Sequence, residues 1–284
     1  MKNIAHVPFC ATSAFIAALI LSFAPATVAL GQGPQARAKS GQEPPVQASP
    51  TLENALKHAS AALERMEQVA DYTCNFVKRE RIDGVLSPYE SMRLKVRHEP
   101  FSVYLYCLGP NLPKGQEVIY VEGQNDGLAL AHTTGLTNAL VGTLQLDPMG
   151  ARMMNGNRYP ITNIGMKNLL NRMVRRLEKH IQSEGDGGAE SFQVRILPRS
   201  KIDDEECTCV EVRSVEQQKG VTEQMTRIFY HDEHGVPVRL ERYDWPPRGQ
   251  TRPLLVEEYN YRSLKLNQDI GDADFSTENP EYEF

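Results

Sequence analysis

His231 and His234 flank Asp232-Glu233, and imidazoles beside carboxylates could ligate a divalent cation. A structural zinc site needs a second close pair of ligands, and the chain has none at that spacing, so this stretch reads as a solvated hairpin tip. Asp269, Asp272 and Asp274 offer oxygen ligands of the kind calcium prefers, but the run lacks the glycine and distal glutamate of a dedicated calcium loop. No metal site is therefore expected. For acid–base chemistry the residues worth testing are Arg97, His132 and His180. Their plain roles are a strand charge, a hairpin residue and a histidine near a helix C-terminus, where the dipole favours it. There is no phosphate loop, dinucleotide glycine fingerprint, nucleophile-elbow serine or zincin helix motif. The expectation is a chain that is not an enzyme and uses no cofactor.

Thiol chemistry is constrained by spacing. Cys207 and Cys209 lie two apart in a strand-like run, so they face one side and are poorly placed to bridge each other. A Cys74–Cys107 disulfide and four small buried thiols are both compatible with the sequence.

These residues must be carried by a chain of 284 residues with 40% hydrophobic content, enough for a sizeable core in one domain. The first 31 residues differ in kind: Lys2 is their only charge, Phe15 to Phe23 is apolar, and small residues follow from Ala26 to Gly31. That is the layout of a cleaved secretory leader, ending after Ala29 or Gly31, with Pro25 and the short apolar core arguing against an anchor. Residues 32–48, rich in Gly, Pro, Gln, Ala and Ser, read as a tether that cannot bury enough apolar surface to order itself. The chain is therefore expected to be exported to the periplasm or cell envelope, with no integral membrane span after cleavage. Without Lys2, 30 basic residues stand against 36 acidic ones, a balance of −6 that gives no support for nucleic-acid binding.

Order is expected to begin at Ser49-Pro50, a cap followed by a proline at the first helical position. Leu52, Ala55, Leu56, Ala59, Ala62, Leu63, Met66 and Val69 then recur at helical spacing. The many alanines let such a helix sit close on a sheet. From Asp71 the period becomes two: Tyr72 to Val77 opens a strand, Asp83-Gly84 turns, and Met92, Leu94 and Val96 alternate with Arg93, Lys95 and Arg97. Phe101 to Leu108 and the hairpin from Lys114 to His132 are apolar on both parities, so each has two faces to cover. Leu136 to Pro160 holds Gly142, Pro148, Gly150 and Gly156 and cannot be one long regular element.

A helical stripe follows at Met166, Leu169, Leu170, Met173, Val174, Leu177 and Ile181, ended by the glycine-rich 184–188. With Lys167, Arg172, Arg175, Arg176 and Lys179 elsewhere on it, this helix could pack on the sheet with a solvated basic face, or lie on anionic lipid headgroups. Strand signals resume at Phe192 to Leu197, Cys207 to Val212, Met225 to Tyr230, Val236 to Trp245 and Leu254 to Leu264, with acidic hairpin tips between. The predicted class is α+β. One domain, 49–284, would carry a helical insertion at about 136–184.

The order of helix, Asp71-Tyr72-Thr73-Cys74-Asn75-Phe76, the strand ending Val96-Arg97-His98-Glu99-Pro100-Phe101, and Gly115 to Gly123 leading to Gly127-Leu128-Ala129-Leu130 resembles the front half of the periplasmic lipoprotein-carrier superfamily. Arg158 to Ile161 and the closing Asn-Pro-Glu-Tyr-Glu-Phe are similar to an uncharacterised family of exported bacterial proteins, a domain of unknown function. The resemblance implies a strongly curved antiparallel sheet, an unclosed barrel, with helices over its concave face and an apolar cavity between. It also implies binding or carrying of a lipid or other long apolar ligand without catalysis, or an envelope protein-interaction or stress-sensor module on the same fold that binds no lipid. The candidate ligand-binding residues are Met92, Leu94, Val96, Tyr104, Tyr106, Val118, Tyr120, Leu128, Leu130, Met166, Leu170 and Met173. Arg97 is the nearest match to a basic residue the carriers use before a proline, although His98-Glu99 intervene before Pro100 and the alternation turns Arg97 to the face opposite Met92, Leu94 and Val96.

Overall fold

The computed structural model describes residues 49–132, 142–185, 191–217 and 223–284. The expected leader, the tether, the first part of the insertion and most of the glycine-rich stop lie outside the described residues. A single compact unit spans Gln47–Phe284.

Twelve strands among the described residues form one antiparallel sheet. In chain order they are β1 (Asp71–Ile82), β2 (Val85–Leu86), β3 (Glu90–Arg97), β4 (Ser102–Cys107), β5 (Glu117–Val121), β6 (Ala129–His132), β7 (Leu144–Leu146), β8 (Phe192–Ile202), β9 (Glu205–Ser214), β10 (Glu223–His231), β11 (Pro237–Asp244) and β12 (Leu254–Leu266). They lie in the order 7-6-5-4-3-1-12-11-10-9-8, with β2 paired to β1. The last strand thus sits beside the first, and two meanders meet at the middle of a sheet whose ends, β7 and β8, stay unpaired to each other. This is the α+β half-barrel the sequence implied. Leu144–Leu146 pairs with β6, so part of the expected helical insertion extends the sheet instead.

Helix α1 (Leu52–Met66) begins two residues later than expected, capped by Thr51. Thr51 N–H donates to Asn54 Oδ1 at 2.8 Å, and that reciprocal turn fixes the start more firmly than Ser49-Pro50 could. Its alanines are the close-packing face: Ala55, Ala59 and Ala62 are all buried. A short helix α2 (Ala151–Met154) precedes a 3-10 turn at Ile161–Asn163 and the long α3 (Met166–Gly185). α3 packs its apolar stripe against α1 and the sheet, with Met166, Leu169, Leu170 and Leu177 buried in the main core. Its apolar stripe is therefore covered by protein, which removes the lipid-surface reading of that helix. Lys167 pairs with Glu67 and Arg176 with Glu223.

The concave face of the sheet carries the main core, including Tyr72, Cys74, Phe76, Met92, Leu94, Val96, Val210, Ile228, Leu240, Tyr259 and Tyr261. The convex face of β4 to β6 carries a second cluster of Tyr104, Ile119, Val121, Ile270 and Phe275, packed by Tyr106, Leu130, Tyr282 and Phe284. Both faces of the Lys114 to His132 hairpin are therefore occupied. Val118 and Tyr120 face inward; Ile119 and Val121 face a C-terminal strap. All four described cysteines are buried and free, so no Cys74–Cys107 bridge forms. Cys74 is opposite Leu94 and Cys107 opposite Met92, so β3 runs between the two thiols.

Candidate functional site

A cavity of about 390 Å³ lies on the concave side, between β1, β3, β4, β5 and the segment that runs from α2 to the start of α3. Its apolar lining comes from Phe76, Met92, Leu105, Val118 and Tyr261 on the sheet and from Met153, Ile161 and Ile164 above them. The crossing segment is fixed at both ends. Arg158 donates from Nη1 to the Arg81 carbonyl at 2.9 Å, and its own N–H reaches Glu80 at 3.2 Å. At the other end Met166 N–H donates to Tyr72 Oη at 3.0 Å. Gly165 makes this approach feasible: it sits at φ +102°, and a Cβ there would lie 2.9 Å from the same hydroxyl.

One wall is polar and charged. Lys78 Nζ donates to Glu80 Oε2 at 2.8 Å and to Asn157 Oδ1 at 2.6 Å, and lies 3.3 Å from Glu90 Oε2. Tyr259 donates to Glu80 Oε1. Behind them Glu257 pairs with Arg158 and Arg242 at 3.2 Å each, Arg242 pairs with Glu223 at 2.8 Å, and Arg176 of α3 reaches the same Glu223 oxygen at 2.8 Å. Burial, and then the Glu257 and Glu80 carboxylates, push the Tyr259 hydroxyl well above its ordinary range, which keeps it a proton donor. Burial alone would raise Glu223, but the Arg176 and Arg242 guanidiniums outweigh it and hold that carboxyl below its ordinary value. Burial, then Glu90, raises the Cys107 thiol to about 11, so this cavity-lining cysteine stays protonated.

The candidate residues fall in several places. Met92 and Val118 line the cavity. Val96 and Tyr120 line a neighbouring hollow of about 260 Å³ with His98 and Phe101, divided from the first by Ile164 and Gly165. Leu94, Met166 and Leu170 are fully buried in the core, and Met173 faces Met225 and Thr226 beneath α3. Tyr104, Tyr106 and Leu130 belong to the convex cluster, and Leu128 closes the turn before β6. Arg97 is also convex, bonded to Asp272 at 2.7 Å and lying over the Phe275 ring.

His132 is buried beside Phe284, and His180 lies against Phe192, so neither faces the cavity. Among the described residues no group of three or more His, Cys, Asp or Glu could hold a metal ion. His231 Nδ1 instead accepts the N–H groups of Glu233 and His234. Asp272 and Asp274 are engaged by Arg97 and Lys95. No helix among the described residues is long and apolar enough to cross a membrane.

Lys78, Glu80, Glu90 and Asn157 were not among the sequence candidates. Their signal is parity: Lys78 and Glu80 continue the inward series Tyr72, Cys74, Phe76, and Glu90 precedes Met92 and Leu94 on the inward face of β3.

No curated protein sequence matches the chain. Similar solved structures include the Mycobacterium tuberculosis lipoprotein LppX, at 11% identity over 76% of this chain and 96% of that one, with a TM-score of 0.43. A chain of the Pseudomonas aeruginosa MucA/MucB complex matches at 13% identity over 79% of this chain and 61% of its own length, TM-score 0.43. A LolA superfamily protein from Nitrosomonas europaea matches at 13% identity over 77% and 97%, TM-score 0.31. At such scores the likeness bears on neither ligand nor partner. Residues 69–284 match the family described as protein of unknown function DUF1571, from β1 through the strap and including the Arg158 to Ile161 crossing, and the chain belongs to that family.

Proposed function

We propose that this protein is an exported, noncatalytic binder or carrier of one long apolar ligand, held in the cavity over β1, β3, β4 and β5. The observation that carries the reading is the cavity itself, about 390 Å³ with an apolar floor and roof and one polar wall. Ligand pockets run from about 300 to 1,000 Å³, so this one suits a single chain or small ring system and not a two-chain lipid. Burying a chain there gains about 0.8 kcal/mol for each methylene removed from water. Nothing on the wall has the arrangement of a nucleophile with its base: every carboxylate facing Lys78 acts as its partner or acceptor.

Mass spectrometry of an organic extract of the purified full chain tests this. The expected result is a single-chain amphiphile near one equivalent, lost from Val118→Trp, which fills the cavity, while the melting temperature holds. The absence of any extractable ligand, together with no binding of a neutral fluorescent apolar probe, would overturn it. Recovery of one stoichiometric envelope protein and no lipid would favour the interaction-module reading instead.

A further inference from the structure

The charged wall has unequal hydrogen-bonding capacity. Lys78 has three protons to give, and three acceptors surround it: Glu80 Oε2, Asn157 Oδ1 and Glu90 Oε2. The Tyr259 proton goes to Glu80, as does the Arg158 N–H. The donors at this wall are thus committed to the protein's own acceptors. Glu90 is different. Among the described residues its carboxylate has one partner, Lys78, at 3.3 Å from Oε2, and its Oε1 accepts no side-chain hydrogen bond, although it lines the cavity beside Met92 and Cys107. Charge is unequal too, since one ammonium faces two carboxylates. The other cations of the lining lie away from this wall: Arg172 gives Nη1 to the Asn163 carbonyl at 3.0 Å and lies over the Tyr159 ring, and Arg152 is exposed on α2.

The spare capacity is therefore that of an acceptor carrying negative charge. We propose that the cavity takes a single-chain amphiphile whose head is a hydrogen-bond donor, a primary amine or alcohol seated against Glu90, and that it discriminates against the matching carboxylate. This rests on the binding function proposed above. At this wall a carboxylate head would meet Glu90 and Glu80 with every Lys78 proton already turned to a protein acceptor, whereas an ammonium or hydroxyl completes a charge-assisted bond. The raised Cys107 thiol, which Glu90 helps to hold up, is consistent with that charge reaching the cavity wall.

The test uses the delipidated full chain and three probes of equal length, dodecylamine, dodecanol and dodecanoate, each competing with a neutral fluorescent apolar probe. The pH is set so that the amine is protonated and the acid ionised. The amine and alcohol are expected to bind about tenfold or more tighter than dodecanoate. Glu90→Gln should narrow the gap from both sides, weakening the amine and strengthening dodecanoate. Equal binding of amine and carboxylate by the native chain would overturn the head-group assignment, and this comparison stands even where Glu90→Gln does not fold. A folded Glu90→Gln with unchanged selectivity would overturn it as well. Failure of the neutral probe itself to bind would sink the binding function along with it.

Discussion

Lys78 is the cation on which the polar wall turns. Its side chain is 10% exposed and that of Glu80 only 4%, so the pair is shielded from water on nearly every side. Removing one member of such a pair leaves the other charged without compensation, which costs about 3–5 kcal/mol, more than the pair adds in net stability. Lys78→Met should therefore lower the unfolding free energy by about that amount in urea titrations. Adding Glu80→Leu should recover part of it, because the stranded carboxylate goes too; a double variant less stable than Lys78→Met would contradict this account. The sequence carried half of the information. Tyr72, Cys74 and Phe76 are legible as an inward series, and extending it by two steps places Lys78 and Glu80 on the same face. Nothing in the run Lys78 to Arg81 itself marks those charges as inward, because the groups that make inward charges tolerable come from elsewhere: Asn157 is 79 residues away and Tyr259 is 179 from Glu80. No local pattern announces such partners.

At the scale of elements, the alternation of β3 shows the same division. Met92, Leu94 and Val96 face the core as their period dictates. The outward Arg93, Lys95 and Arg97 look like a solvated face, yet the strap of residues 270–284 lies over part of it. Lys95 meets Asp274 at 2.6 Å, Arg97 meets Asp272, and Tyr282 stacks on Tyr104 with ring centroids 4.1 Å apart. This strap accounts for the second apolar parity of the hairpin, which the sequence made visible without naming what covers it, since the strap has no period to read. Phe275, 5% exposed, is its deepest anchor. Phe275→Ala should loosen the strap, seen as faster amide exchange over 270–284 and increased binding of a hydrophobic dye, while occupancy of the concave cavity is unchanged. Loss of both together would mean the two faces are coupled. The crossing segment has its own weak point in Gly165. Gly165→Ala places a Cβ at positive φ and against Tyr72 Oη, and should cost about 1–3 kcal/mol, measured against Gly156→Ala, whose Cβ meets nothing within 4 Å.

Across the whole molecule, the seams between helices and sheet hold three histidines that respond to pH in one direction. His58 of α1 stacks on Tyr230, His98 donates from Nδ1 to the Val69 carbonyl at 2.6 Å, and His180 of α3 lies 4.5 Å from the Phe192 ring. Burial is the largest cause in each case and lowers all three below the ordinary 6.5; Lys57 adds to it at His58, the Val69 carbonyl opposes it at His98, and Glu223 opposes it at His180. A histidine that binds its proton less readily when folded than when unfolded makes the unfolded chain the better proton acceptor. Stability is then fully present above about 6.5 and is lost as pH falls through the lowered folded values. Glu223, also depressed, acts in the same direction only below its ordinary 4.5, so the two windows separate. The melting temperature should therefore fall steadily as pH is lowered from about 7.5 to about 5.5. His98→Gln should flatten part of that slope, because Nε2 of His98 has no partner among the described residues to accept from the added proton in the folded state. A melting temperature that held level or rose across this window would mean that these seams open before the histidines titrate.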